Sequence, residues 1–196
     1  MTLVVAHRGA SQIAPENTLE AFQRAVEAGA DAIEVDIHLT ADGELAVIHD
    51  PTLDRTTDRT TTVATATMAD LRAADAGWAF PGEAGDYPFR GTGLTIPTLP
   101  EVVAWLPVGV GLAVEIKAPA AADGVVAALE GSAVRATDAV TVMSFQEPAI
   151  NRVRELAPDI PTGLLLVPGD LVDRGLKWVV EHGHAAVLPY DTDLAG

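Results

Sequence analysis

The sequence contains no cysteine. Disulfides, thiolate metal sites and a cysteine nucleophile are therefore excluded. Basic residues are scarce as well: 12 Lys and Arg stand against 28 Asp and Glu, for a net charge of −16. Such a chain offers no basic stripe for a phosphate backbone, so no nucleic-acid partner is expected. No apolar run approaches the ~20 residues of a membrane helix, so no transmembrane segment is expected. The first apolar run begins at Leu3, so no signal peptide and a cytoplasmic location are expected. There is no Gly-rich loop of the Walker A type, so nucleoside triphosphate chemistry is not indicated.

What remains is an ordinary globular composition, 48% apolar and 20% charged over 196 residues, which suits one domain with a substantial core. Short apolar runs fit buried parallel strands: Leu3–Ala6, Ala32–Ile37, Leu45–Ile48, Leu112–Ile116, Val140–Phe145, Gly163–Val167 and Ala185–Leu188. Helical spacing appears over Leu19–Ala28, Met68–Ala74, Leu99–Leu106, Ala121–Leu129, Glu147–Leu156 and Leu171–Glu181. Asn17 or Thr18, Thr67 and Thr98 are the expected N-caps. Repeated strand–helix units imply a parallel sheet, and seven strands suggest a (β/α) barrel, with an open doubly wound sheet as the alternative. The link Thr40-Ala41-Asp42-Gly43 is too short for a crossover helix; an extended return would keep the third strand parallel. From Pro51 to Thr95 the pattern changes to Thr, Gly and Asp with interspersed Trp78, Phe80, Tyr87 and Phe89. An insertion of this length is usually functional, and a lid is expected here.

The chemistry centres on Glu34-Val35-Asp36. In a strand these two acids share a face while Ile33, Val35 and Ile37 take the other. Two carboxylates roughly 7 Å apart on one buried face repel, and a divalent cation with oxygen ligands relieves that repulsion. The other unusual polar residues also fall at strand carboxyl ends: His7-Arg8, His49-Asp50 and Glu115-Ile116-Lys117. In a parallel barrel those ends converge on one rim. Singly, each residue has a plainer role, such as a structural histidine, an ion pair or a surface charge. Jointly, Glu34, Asp36 and Glu115 form an oxygen-only set suited to Ca2+ or Mg2+, with Mn2+ a third candidate. Arg8 and Lys117 supply positive charge for an anion. His7 and His49 can divide general acid and general base work. Such a site suits displacement at phosphorus. His38, His182 and His184 lie outside this alignment and are expected to be structural or surface residues.

These residues resemble the glycerophosphodiester phosphodiesterase family. The resemblance runs through His7-Arg8-Gly9, Pro15-Glu16-Asn17-Thr18, Glu34-Val35-Asp36 and Thr40-Ala41-Asp42-Gly43. It continues through His49-Asp50-Pro51-Thr52-Leu53-Asp54-Arg55-Thr56-Thr57, Ile96-Pro97-Thr98-Leu99, Glu115-Ile116-Lys117 and Ser144-Phe145. It implies a (β/α)8 TIM-type barrel of the phospholipase C-like phosphodiesterase kind. The implied activity is metal-dependent hydrolysis of glycerophosphodiesters to glycerol 3-phosphate and an alcohol. His7 and His49 would be the acid–base pair, Glu34, Asp36 and Glu115 the ligands of one divalent cation, and Arg8 and Lys117 the phosphate contacts. Residues 51–95 would be a cap inserted into a single barrel domain over 1–196, near the substrate's glycerol end. The family continues to a further strand with a Trp-Thr-x-Asn-like motif; nothing here matches it, so the C-terminal part of the barrel is expected to be absent. A lysophospholipase D-like or cyclising phosphodiesterase, or a non-catalytic metal- and phosphoester-binding module, are the alternative functions. The sequence gives no oligomeric state.

Overall fold

The computed structural model describes residues 3–167 and 172–189. Its strands are β1 (Val5–His7), β2 (Ala32–Leu39), β3 (Leu45–Val47), β4 (Gly111–Ile116), β5 (Val140–Ser144), β6 (Thr162–Leu165) and β7 (Ala186–Leu188). The helices are α1 (Leu19–Glu27), α2 (Met68–Arg72), α3 (Leu99–Trp105), α4 (Ala122–Leu129), α5 (Ala133–Ala136), α6 (Glu147–Leu156) and α7 (Val172–His182). The sheet order is β1-β2-β4-β5-β6-β7, and every neighbouring pair on this path is parallel. Parallel neighbours joined by helices are the (β/α)-barrel pattern expected from the sequence. Among the described residues β1 and β7 are the outer strands of this path and do not pair with each other. The expected start of the last helix at Leu171 and the Pro168-Gly169-Asp170 turn lie outside the described residues.

One strand corrects the expectation. β3 is antiparallel to β2, with Ile37 opposite Val47 and Leu39 opposite Leu45. The turn between them is closed by its own polar groups. Thr40 N–H donates to the Glu44 carbonyl at 3.0 Å, Thr40 Oγ1 donates to Asp42 Oδ1 at 2.6 Å, and Gly43 takes φ +82°. An Asp-Gly pair in such a turn is a hairpin signal, and a link this short favours direct return over an extended crossover. The four-residue helix α5, capped by Ser132, was not expected; four residues are too few for a periodic signal.

Alternation along the strands sets the core. Ile33, Val35 and Ile37 of β2 and Leu112, Val114 and Ile116 of β4 pack outward against Phe22, Val102, Val125 and Leu129 of the helices. The intervening residues, Glu34, Asp36 and Glu115, are left facing the interior of the sheet's curve. The helix starts follow ordinary capping chemistry: Thr18 Oγ1 accepts from Ala21 N–H, while Thr67 and Thr98 close reciprocal boxes with Asp70 and Glu101. Residues 51–95 are ordered around a second apolar cluster that includes Ile48, Leu53, Val63, Met68, Leu71 and Ile96. That buried cluster distinguishes the insertion from a loose surface excursion.

The loop after β1 is tightly constrained. Gly9 has φ +79°, and a Cβ there would lie 2.7 Å from the Ala21 backbone of α1. Gly43 also has positive φ, but a Cβ there meets nothing within 4 Å. Gly9→Ala is therefore expected to lose roughly 2–4 kcal/mol from strain plus overpacking, and Gly43→Ala only about 1 kcal/mol. Denaturant unfolding of both variants checks this; equal losses would contradict it.

Candidate active site

The register of the parallel strands builds the site. His7 is level with Glu34, and one step further along Asp36 is level with Glu115. Paired positions in register share a face, so all four side chains project to the same side. Glu34, Asp36 and Glu115 are only 3%, 0% and 6% exposed, and one oxygen of each lies within 4.8 Å of the others. Alternation thus places three acids in one dry pocket, as the sequence suggested.

Positive charge surrounds them. Lys117 Nζ bridges Asp36 Oδ1 at 2.9 Å and Glu115 Oε1 at 2.6 Å. Arg8 Nε lies 3.2 Å from Asp36 Oδ2, and the Arg8 backbone N–H donates to Glu34 Oε2 at 2.9 Å. Asn17 Nδ2 donates to the same Asp36 Oδ2 at 2.8 Å. Arg8 and Asn17 achieve this with φ of 59° and 56°, a left-handed backbone that non-glycine residues seldom adopt outside functional or turn sites. The charge balance divides the acids. Burial works to raise the Asp36 carboxyl, but Lys117, Asn17 and Arg8 overcome it and hold Asp36 below the usual carboxylate range. Glu34 goes the other way: burial, then the charge of Asp36, pushes it up to about 8. Burial also raises Glu115, against the pull of Lys117. Glu34 Oε1 is buried with no hydrogen-bond partner. An orphaned carboxylate oxygen beside two other acids is a donor set that fits a hard divalent cation.

The histidines reach this rim by different routes. His7 ends β1, with Nε2 4.0 Å from Glu34 Oε2. His49 follows the antiparallel β3, so the expectation of four parallel strand ends at one height is replaced by three strand ends and one returning hairpin arm. The adjoining Ile48 N–H donates to the Asp36 carbonyl at 2.9 Å, which brings His49 beside the strand that carries the acids. His49 Nδ1 is 2.6 Å from Asp50 Oδ1, and its carbonyl accepts from His38 Nε2 at 3.0 Å. His38 is thus a structural support of the site. His184, by contrast, is held away from it by Thr162 and Asn151.

Sequence reasoning missed several supporting residues. Asn17 and Thr18 are both capping candidates in sequence; Thr18 is the cap and Asn17 braces Asp36. Asp50 steadies His49, and Glu16 ties Arg8 to Arg55. Ser144 Oγ donates to the Ile116 carbonyl at 2.6 Å and Gln146 Nε2 to the Lys117 carbonyl at 2.6 Å, fixing the strand end that presents Glu115 and Lys117. Beside the rim, a cavity of about 290 Å³ is lined by Ser11, Gln12, Glu16 and Arg55, with Phe80 and Pro81 of the insertion as one wall.

The glycerophosphoryl diester phosphodiesterase family model matches residues 7–190, the span that contains every residue of this rim. The chain belongs to this family. It is 40% identical over 173 residues to the glycerophosphodiester phosphodiesterase of Caldanaerobacter subterraneus, covering 84% of this chain and 66% of the relative. Among solved structures, the glycerophosphodiester phosphodiesterase of Agrobacterium tumefaciens superposes with a TM-score of 0.77 at 31% identity, covering 96% of this chain and 76% of that one. An Oleispira antarctica phosphodiesterase in complex with the product sn-glycerol-3-phosphate superposes with a TM-score of 0.83 at 26% identity, over 98% of this chain and 78% of that one. The chain spans just under two-thirds of the length of the curated relatives it matches. The fold of this glycerophosphoryl diester phosphodiesterase family member is the (β/α) barrel of those neighbours.

The raised Glu34 carboxyl makes the metal-free protein sensitive to pH. Between its unfolded value of 4.5 and its folded value of about 8, the folded state holds a proton that the unfolded state has released. Stability from this group is therefore full at low pH and lost as pH rises through that window. Glu34→Gln removes the linkage, so thermal melts in EDTA are expected to decline less steeply over the same window. An unchanged slope would contradict the assignment.

Proposed function

We propose that this chain hydrolyses glycerophosphodiesters to glycerol 3-phosphate and an alcohol, with one divalent cation, Ca2+ or Mg2+, held by Glu34, Asp36 and Glu115. The observation that carries the reading is the convergence of three buried acids, His7 and two cations on one rim, with His49 on the hairpin arm that bonds to the Asp36 carbonyl. Family membership supports it, as does the product held by the Oleispira relative. When bound, the cation would polarise a non-bridging phosphoryl oxygen.

The chain's own residues supply the rest. Arg8 and Lys117 hold the phosphate by charge-assisted contacts, against the unfavourable field of a chain carrying a net −16. One of His7 and His49 takes a proton from the attacking oxygen, and the other returns a proton to the leaving alkoxide. Asp50, accepting from His49 Nδ1, leaves Nε2 of that ring as the working nitrogen. Negative charge grows on the phosphoryl group in the transition state, so Lys117 contributes more to kcat than to KM. Residues 51–95 act as a cap at the glycerol end, presenting Phe80 and Pro81 to the cavity beside the rim.

Release of glycerol 3-phosphate from glycerophosphocholine, with and without EDTA, tests the proposal. EDTA is expected to abolish release and added Ca2+ or Mg2+ to restore it. Lys117→Met is expected to lower kcat by about 10²–10³-fold with little change in KM. His7→Ala and His49→Ala should each lower turnover by ~10²-fold or more. Binding without turnover, or a cyclic phosphate product, would overturn the hydrolytic reading.

A further inference from the structure

Arg55 lines the cavity beside the rim, yet its guanidinium nitrogens are spent on two carboxylates rather than left free for an anion. It is the fifth residue of the inserted stretch and carries a guanidinium that is about half exposed. Its Nη1 and Nη2 donate to Glu16 Oε2 and Oε1, both at 2.7 Å, in the two-pronged geometry that an ammonium cannot reproduce. Its Nε donates to Asp50 Oδ2. Each of these carboxylates has a second partner. Glu16 Oε1 also accepts from Arg8 Nη1 at 3.1 Å, and Asp50 Oδ1 pairs with His49 Nδ1 at 2.6 Å. The result is an unbroken series: Arg8, Glu16, Arg55, Asp50, His49. One end carries the phosphate-facing guanidinium and the other the imidazole.

An exposed arginine with ion pairs is ordinarily worth little to stability. This one differs in what it joins. Glu16 comes from the loop between β1 and α1, and Asp50 from the arm that leaves β3. The His49–Asp50 arm belongs to the antiparallel hairpin rather than to the parallel rim, so its placement depends on tertiary ties. Arg55 uses all three nitrogens of its guanidinium to set the spacing between that arm and the loop that presents Arg8. We propose that Arg55 is a positioning residue that holds the phosphate-binding arm and the proton-transferring arm in one register, acting through Glu16 on Arg8 and through Asp50 on His49. This rests on the hydrolytic reading for its kinetic consequence and on the geometry alone for its effect on the His49 ring.

The two consequences separate experimentally. Glu16→Gln disturbs one arm and is expected mainly to raise KM; Asp50→Asn disturbs the other and is expected mainly to lower kcat. Arg55→Met should do both, with kcat/KM down by about 10²-fold, the scale of a small misplacement of a reacting group. Arg55→Lys should recover only part of this, because it offers one contact at a time. Thermal stability of Arg55→Met should change little. Nitrogen-15 NMR of the His49 imidazole, recorded above the ordinary histidine range of ~6.5, reads the ring without needing activity. The unsubstituted protein is expected to show His49 as the single Nδ1–H form, and both Arg55 variants a mixture. If the unsubstituted protein fails to hydrolyse the diester, the function proposal falls and the imidazole signals alone decide the role of Arg55. A His49 ring unchanged in both variants, or a change confined to KM or to kcat alone in Arg55→Met, would overturn the proposal.

Discussion

Three carboxylates on one dry face are the constraint to which the rest of this molecule answers. Removing an ionised acid from water costs several kcal/mol, and placing three within 4.8 Å adds mutual repulsion. The structure offsets this by unequal treatment. Asp36 receives Lys117, Arg8 and Asn17 and stays ionised, while Glu34 receives one backbone N–H and is driven toward the neutral form. Glu34 keeps one oxygen unpaired. A cluster arranged only for stability would not leave that atom orphaned, since an apolar side chain of similar size would avoid the penalty. The arrangement fits a cation site with the positive charges of Arg8 and Lys117 beside it.

Meeting that constraint explains the strained loop beside it. Arg8 and Asn17 both adopt left-handed backbone, and Gly9 is pressed against Ala21 of α1. These are costs of turning the chain sharply at the end of β1 so that a backbone N–H, a guanidinium and an amide all reach the acids. The helix α1, whose Phe22 and Ala25 are buried in the main core, supplies the anchorage that tolerates the strain. Core packing and site geometry are therefore coupled through this single turn.

Much of the site was legible because strand alternation is a strict rule. Glu34 and Asp36 between Ile33, Val35 and Ile37 could point only one way once the apolar face was assigned to the core, and Glu115 followed by the same parity. The barrel was legible from repeated strand–helix units. What escaped was tertiary. The direction of β3 turned on a short polar link that allowed two routes, and the Asp-Gly turn selected the hairpin. Asn17 looks like a helix cap in sequence, and Asp50 and Arg55 carry no assigned role there. Asn17 reaches Asp36 19 residues on, and Arg55 joins nearby Asp50 to Glu16 39 residues back, which no local pattern records. His38 has the structural role expected of it, though its particular partner, the His49 carbonyl, is set only by the hairpin.

The central proposal is that the three acids hold one divalent cation and that, with burial pushing Glu34 up to about 8, binding the ion displaces the Glu34 proton. Calorimetric titration of the EDTA-stripped chain with Ca2+ or Mg2+, at about pH 7 in two buffers of different ionisation enthalpy, tests it most directly. The account predicts saturation at one ion per chain, with an apparent heat that differs between the buffers because Glu34 gives up its proton. Absence of saturable binding, or binding whose heat is the same in both buffers, would contradict it.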